Sequence, residues 1–220
     1  MGGIIMKKIM FNDKYGLTQA VLEGRKTMTR RICKYDRPDE SWDIVFPVFE
    51  SKDYDSEGNL ISPLYGAFGW KNKDGDFTGW NNPLYKVGEV VAIAQSYKDI
   101  GYNGEYSWVQ DEIHYHRDRA AGWDNKMFVK ADLMPHHIEI TYIKVERLQD
   151  ISDEDCLKEG IIHASTFLGQ KIYHTPHVNG SYLSANVPQE AFACLIDKVS
   201  GKGAWESNPF VFAYEFVLFD

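Results

Sequence analysis

Residues 188–219 read PQEAFACLIDKVSGKGAWESNPFVFAYEFVLF, and the reading of this stretch decides the fold class. Pro188 suits the first turn of a helix, where a missing N–H leaves no bond unmade. Phe192, Leu195, Ile196 and Val199 then recur at i, i+3, i+4 and i+7, which makes one apolar face, and Gly201 stops the helix. After the turn GKGAWESNP, Phe210, Phe212, Tyr214, Phe216 and Leu218 alternate with Val211, Ala213 and Val217. A strand that is apolar on both faces belongs inside a sheet. Glu215 interrupts it. A buried carboxylate there needs a basic partner, for which Arg30 or Arg31 is a candidate; an edge-facing Glu is the alternative.

Working back from this unit, residues 4–11 predict a first strand and 13–23 a short helix, with Asp13 near its N-cap and Gly24 ending it. Residues 90–97, 106–116, 126–131 and 138–147 predict further strands. Ser152 caps another short helix with Asp155 at N3, and Gly160 stops it. Strands outnumber helices and lie in adjacent runs, so the expected class is α+β: a mixed, curved sheet with a few short flanking helices, in one domain over 1–220. Residues 35–85 and 161–187 lack periodicity and read as long irregular insertions. Trp70 and Trp80 sit among Gly, Asn and Asp, which suits hairpins or a long excursion packed by its own aromatics, with a lid that stacks on a ligand as the alternative.

The chain has 220 residues, 24 Lys+Arg against 32 Asp+Glu and a net charge of −8, which argues against a surface that coats nucleic acid. The charge is nonetheless polarised: residues 1–37 hold nine Lys/Arg against three acids, +6, so the remainder carries −14. With 44% hydrophobic residues the chain is expected to fold. Cys33, Cys156 and Cys194 show no CxxC spacing and suit reduced thiols, Cys156 as a small packing residue. The start MGGIIMKKIMF lacks the order of a signal peptide, and no run approaches the ~18 apolar residues of a membrane helix. The expectation is a cytoplasmic protein with no membrane partner. His114 and His116 share a strand face and His174 and His177 a loop, but no third ligand accompanies them, so no metal is expected. No P-loop, dinucleotide, nucleophile-elbow or zincin pattern occurs, and no cofactor is expected.

The segment that can carry chemistry is GRKTMTRR, residues 24–31. On a strand, Lys26, Met28 and Arg30 share one face and Thr27, Thr29 and Arg31 the other. Cations beside hydroxyls suit anion binding, which makes Arg25, Thr27, Arg30 and Arg31 candidate ligand contacts. A desolvated Lys can also accept a Thr hydroxyl proton and create a nucleophile. A solvated basic strand end is the plain alternative.

GRKTMTRR after a strand and a helix, followed by YKVGE (85–89), VERLQDISDEDCLKEG (145–160) and a terminal aromatic strand with Tyr214-Glu215-Phe216, resembles the ASCH domain family. The likeness is greatest to the longer phage- and prophage-associated members. The resemblance implies a PUA-like mixed β-barrel and binding of RNA or a modified nucleobase or nucleoside in a cleft built on GRKTMTRR. It also implies an alternative, amide hydrolysis of N(4)-acetylcytidine or a related acylated nucleoside, with Lys26 as proton acceptor, Thr29 as nucleophile and Glu159 as proton donor. A phage-related protein-interaction factor is a third reading. Two segments depart from the family: Ala92-Ile93-Ala94-Gln95 stands where relatives carry a Trp-Val-Arg-Glu run, and Met134-Pro135-His136-His137 where Arg and Trp follow Met-Pro. Both departures are expected to alter the pocket wall.

Overall fold

The computed structural model of the chain describes residues 6–33, 37–45, 67–100, 121–176 and 183–219. Its central sheet holds β1 (Lys8–Ile9), β2 (Met28–Ile32), β5 (Val90–Ile93), β6 (His137–Arg147) and β10 (Phe210–Leu218), in the order β1-β5-β6-β10-β2. An antiparallel pair of β3 (Asp43–Val45) and β4 (Gly69–Lys71) and a three-stranded sheet of β7 (Ile162–Phe167), β8 (Gln170–His174) and β9 (Ser184–Ala185) lie outside it. The β1–β5 pair is parallel and the other pairs of the central sheet are antiparallel. The class is therefore mixed α+β on a mixed sheet, and among the described residues the strands do not close into a barrel. No helix of the described residues is long and apolar enough to cross a membrane.

β10 sits between β6 and β2, as its two apolar faces require. Tyr214 lies opposite Ile143 on one side and Thr29 on the other. The register shifts between Glu215 and Phe216, a bulge of the kind that re-aims a side chain. Glu215 leans out of the core there and accepts from Lys158 Nζ at 3.1 Å. Its partner is thus Lys158, not Arg30 or Arg31, because the bulge turns the carboxylate toward the end of the neighbouring helix.

The Pro188–Ser200 helix buries Phe192, Leu195 and Ile196 of the stripe its spacing predicts, leaves Val199 partly buried, adds Ala191, and packs against the Asp153–Lys158 helix. Ser152 Oγ accepts from Asp155 N at 3.1 Å and caps that second helix as expected. The first predicted helix is split: Asn12 caps a 3-10 turn at Asp13–Tyr15, Gly16 takes φ +63, and an α-helix follows at Leu17–Leu22.

Three expectations are corrected. Residues 126–131 form 3-10 turns at Lys126–Phe128 and Ala131–Leu133 instead of a strand, since Asn125 Oδ1 accepts from Met127 N and curls the chain. The 161–187 stretch is not irregular throughout, because β7 and β8 form a hairpin joined by Leu168 (φ 48) and Gly169 (φ 82), two positive-φ residues as in a type I′ turn. Leu at the first of these positions hides the turn from a reading that looks for Asn-Gly. Nor does the 67–85 segment pack only on itself. Phe68 and Trp70 are buried against β10, with ring centroids 5.7 Å from Phe212 and 5.0 Å from Phe210 respectively; local pairs form as well, Phe77 with Trp80 at 4.8 Å and Phe68 edge-on to Trp70 at 5.8 Å. The predicted strand 106–116, with His114 and His116, and the loop residue His177 lie outside the described residues.

Candidate functional site

Among the described residues β2 lies at the edge of the sheet, and side chains from both of its faces border one cleft there. The chain enters it under tight control. Gly24 at φ +70 ends the Leu17–Leu22 helix, Lys26 N donates to Ala20 O at 2.9 Å, and Thr27 N donates to Lys158 O at 2.9 Å. Gly160, at φ +100, turns the chain just past the second helix and leaves Glu159 as that helix's C-terminal residue, beside Lys26. These anchors bring two segments 133 residues apart into contact.

Lys26 is 2% exposed and Glu159 4%. Lys26 Nζ donates to Glu159 Oε2 at 2.5 Å, to Glu159 O at 2.9 Å and to Met28 O at 2.7 Å. Three acceptors around one nitrogen are the partners of an ammonium; a neutral amine would leave one of them without a donor. Burial nevertheless pushes the Lys26 ammonium below its ordinary range, against the attraction of Glu159.

Arg30 joins the same group. Its Nη1 donates to Glu159 Oε1 at 3.1 Å, while Nη2 donates to Glu146 Oε1 at 2.5 Å and to Asp155 Oδ2 at 2.9 Å. Lys144 closes the network on Asp155 at 2.7 Å and Glu146 at 3.0 Å. Burial works against the Arg30 charge, but Glu159 and Glu146 outweigh it and raise its pKa. Burial likewise opposes the Asp155 carboxylate, and Lys144 and Arg30 override it and hold the group below the usual carboxylate range. The shared-face alternation of Lys26 and Arg30 is as predicted, since both meet Glu159. The sequence reading missed Lys144, Glu146 and the second role of Asp155, which looked like a capping residue only. The i, i+2 charges of Lys144 and Glu146, on one face of β6, were the signal available.

Lys26, Thr29, Arg30, Arg31 and Glu159 line one cleft of about 120 Å³, with Phe11 and Phe192 as aromatic walls. That is close to the scale of a single ring, since cavities of about 150 Å³ hold benzene. Thr29 is 5% exposed, and none of the hydrogen bonds among the described residues uses its hydroxyl. In particular Lys26 does not bond it, so this arrangement holds no activated Thr29.

The other predicted contacts divide. Arg31 borders the cleft and donates from Nη2 to Met10 O at 2.5 Å. Arg25 faces solvent and is paired with Glu23, and Thr27 joins through its backbone; neither lines the cleft. Ala92–Gln95 and Met134–His137 do not line it either, so the departures in those segments fall outside the cleft wall. Gln95 borders a separate polar hollow with Asp13, Ser96 and Asp99. Cys156 is buried and its thiol is pushed up to about 12 by burial, in keeping with a packing role. Among the described residues no cluster of three or more His, Cys, Asp or Glu is arranged to hold a metal ion.

No family model, no curated protein and no solved structure matches the chain.

Proposed function

We propose that the protein is a PUA-like, ASCH-type protein that binds a nucleobase or nucleoside in the cleft at the edge of β2. The observation that carries this reading is the convergence of the buried Lys26–Glu159 pair, the unbonded Thr29 hydroxyl and the Phe11 ring on one ring-sized cavity. Each Glu159 oxygen accepts one bond from a cation and keeps acceptor capacity. A carboxylate with spare lone pairs selects an exocyclic amino group, and a hydroxyl serves the ring nitrogen or carbonyl beside it. Amino-bearing bases such as cytosine and adenine present that pattern.

The fold is consistent with this reading in the order of its elements: a first strand, a helix, the GRKTMTRR strand, the Glu159 helix, and a terminal strand paired with β2. RNA is the weaker form of the ligand, because four of the nine cations of the +6 segment already face carboxylates. Lys26 and Arg30 meet buried carboxylates, Arg25 meets Glu23 and Lys7 meets Glu89. Cations so paired are less open to a phosphate backbone. An interaction factor is weaker still, since a cavity opens beside Lys26 where that role calls for an occluded segment. Calorimetric titration with cytidine, adenosine, uridine and N(4)-acetylcytidine tests the proposal: amino-bearing nucleosides bind more tightly than uridine, and binding of none of the four would overturn it.

A second reading, hydrolysis of an N(4)-acylated cytidine, is favoured by one fact: Lys26, Thr29 and Glu159, the three residues the resemblance implies, all border the cleft. Attack by Thr29 on the acyl carbon requires a proton acceptor, and Lys26 becomes one only after giving up a proton. Its burial moves it in that direction. The assay is cytidine release, abolished by Lys26→Ala; turnover no better than a boiled control sinks this reading and leaves the binding proposal standing.

A further inference from the structure

The network beneath the cleft is electrically closed. Lys26, Arg30 and Lys144 face Glu146, Asp155 and Glu159, so three positive groups meet three negative ones. Arg31 lies outside that balance. It borders the same cleft, and no carboxylate pairs with it among the described residues. Its guanidinium carbon stands 5.9 Å from the centre of the Phe11 ring, and among the described residues its side chain makes one hydrogen bond, from Nη2 to Met10 O. A guanidinium has five N–H donors, so most of the fork is open.

Position adds to charge. Arg31 follows Thr29 by two residues on the same face of β2, opposite Phe212 and Tyr214 respectively. The two side chains are therefore set roughly 6.6 Å apart along the strand, a span of the order of a ribose. A base held at Thr29 and Glu159 would bring its 5′ substituent toward Arg31.

We propose that Arg31 is the anion-binding group of this cleft and that the ligand is a nucleoside monophosphate, its base at Thr29 and Glu159 and its phosphate on the Arg31 fork. The inference rests on the base-binding reading above and adds the ligand's charged group to it. A phosphomonoester suits the site because a planar guanidinium accepts it through two parallel bonds. A long polyanion suits it less, because several cations of the chain already have carboxylate partners: Lys7 has Glu89, Arg25 has Glu23 and Lys126 has Asp13.

The test is calorimetric titration of the full chain with cytidine, cytidine 5′-monophosphate, adenosine, adenosine 5′-monophosphate, inorganic phosphate and a single-stranded oligonucleotide, at low and moderate salt. Each monophosphate is expected to bind at least about tenfold more tightly than its nucleoside, as a charge-assisted pair provides. Arg31→Gln reduces that ratio to near one, and Arg31→Lys, a point charge without the fork, keeps part of it. Circular dichroism confirms that both variants fold, and should Arg31→Gln fail to, Arg31→Lys alone reads the loss of the fork. Equal affinity for nucleotide and nucleoside in the parent protein overturns the inference and leaves the base-binding reading intact. So does a ratio unchanged in both variants. Inorganic phosphate binding as tightly as the monophosphates overturns the base reading instead. An oligonucleotide binding more tightly than any monophosphate overturns the mononucleotide assignment.

Discussion

Lys26 Nζ and Glu159 Oε2 meet at 2.5 Å with neither side chain more than 5% exposed, and Arg30 holds the other Glu159 oxygen at 3.1 Å. A carboxylate fixed between two buried cations is both a structural joint, linking β2 to the Asp153–Lys158 helix, and the polar floor of the cleft. Its energetics follow from burial. Loss of one partner leaves the other charged and dry, which is costly.

Lys26→Met should therefore destabilise the protein by about 3–5 kcal/mol, and Glu159→Gln, which also strips Arg30 of a partner, by a similar amount. The double variant should cost less than the sum, because each change removes the charge the other would strand. Urea unfolding of the four species measures this; strict additivity would show that the pair is not coupled.

Acid should weaken the network through Asp155. Its carboxyl lies below its ordinary 3.8 when folded, so between the folded value and 3.8 the unfolded chain binds more protons than the native one. The stabilisation it provides is present above about pH 4 and is lost as pH falls through the folded value. Melting temperatures recorded from pH 6 to pH 2.5 should fall, with a smaller acid-dependent drop in Asp155→Asn.

Gly160→Ala should cost about 1–3 kcal/mol. At φ +100 the strain comes from the backbone, since an added Cβ would meet only Lys26 side-chain carbons at 3.6 and 3.8 Å and Leu17 at 3.9 Å. Because Gly160 sets the exit of the chain next to Glu159, nucleoside affinity should drop together with stability. Thermal unfolding and titration of the same sample check both effects.

Leu168→Asn should stabilise the β7–β8 hairpin by a few tenths to about 1 kcal/mol. Leu168 sits at φ 48 and is 89% exposed, so it bears the left-handed strain with almost no burial in return. A rise in melting temperature, with slower amide exchange in β8, is the expected result.

Much of the frame was legible along the chain. The 188–201 helix, the doubly apolar β10 and the Ser152 cap rest on periodicity and local hydrogen bonding, which act over a few residues. The β7–β8 hairpin was not legible because Leu168 carries a turn conformation that its type does not advertise. The pairing of Trp70 and Phe68 with β10 was hidden because nothing in a Gly- and Asn-rich segment says which distant face its aromatics cover.

The cleft divides the same way. The sequence by itself determined which chemistry is available: four cations and two hydroxyls within GRKTMTRR, and a Glu just before the glycine that ends a helix. Only the tertiary structure decided how these groups are used. It buried Lys26 and Arg30 against Glu159, Glu146 and Asp155, kept Thr29 out of their hydrogen bonds and left Arg31 without a carboxylate among the described residues. The physical reason is that a charge's partner depends on distance through space and on exclusion of water, and both are set where β2 meets the Asp153–Lys158 helix, more than a hundred residues apart along the chain.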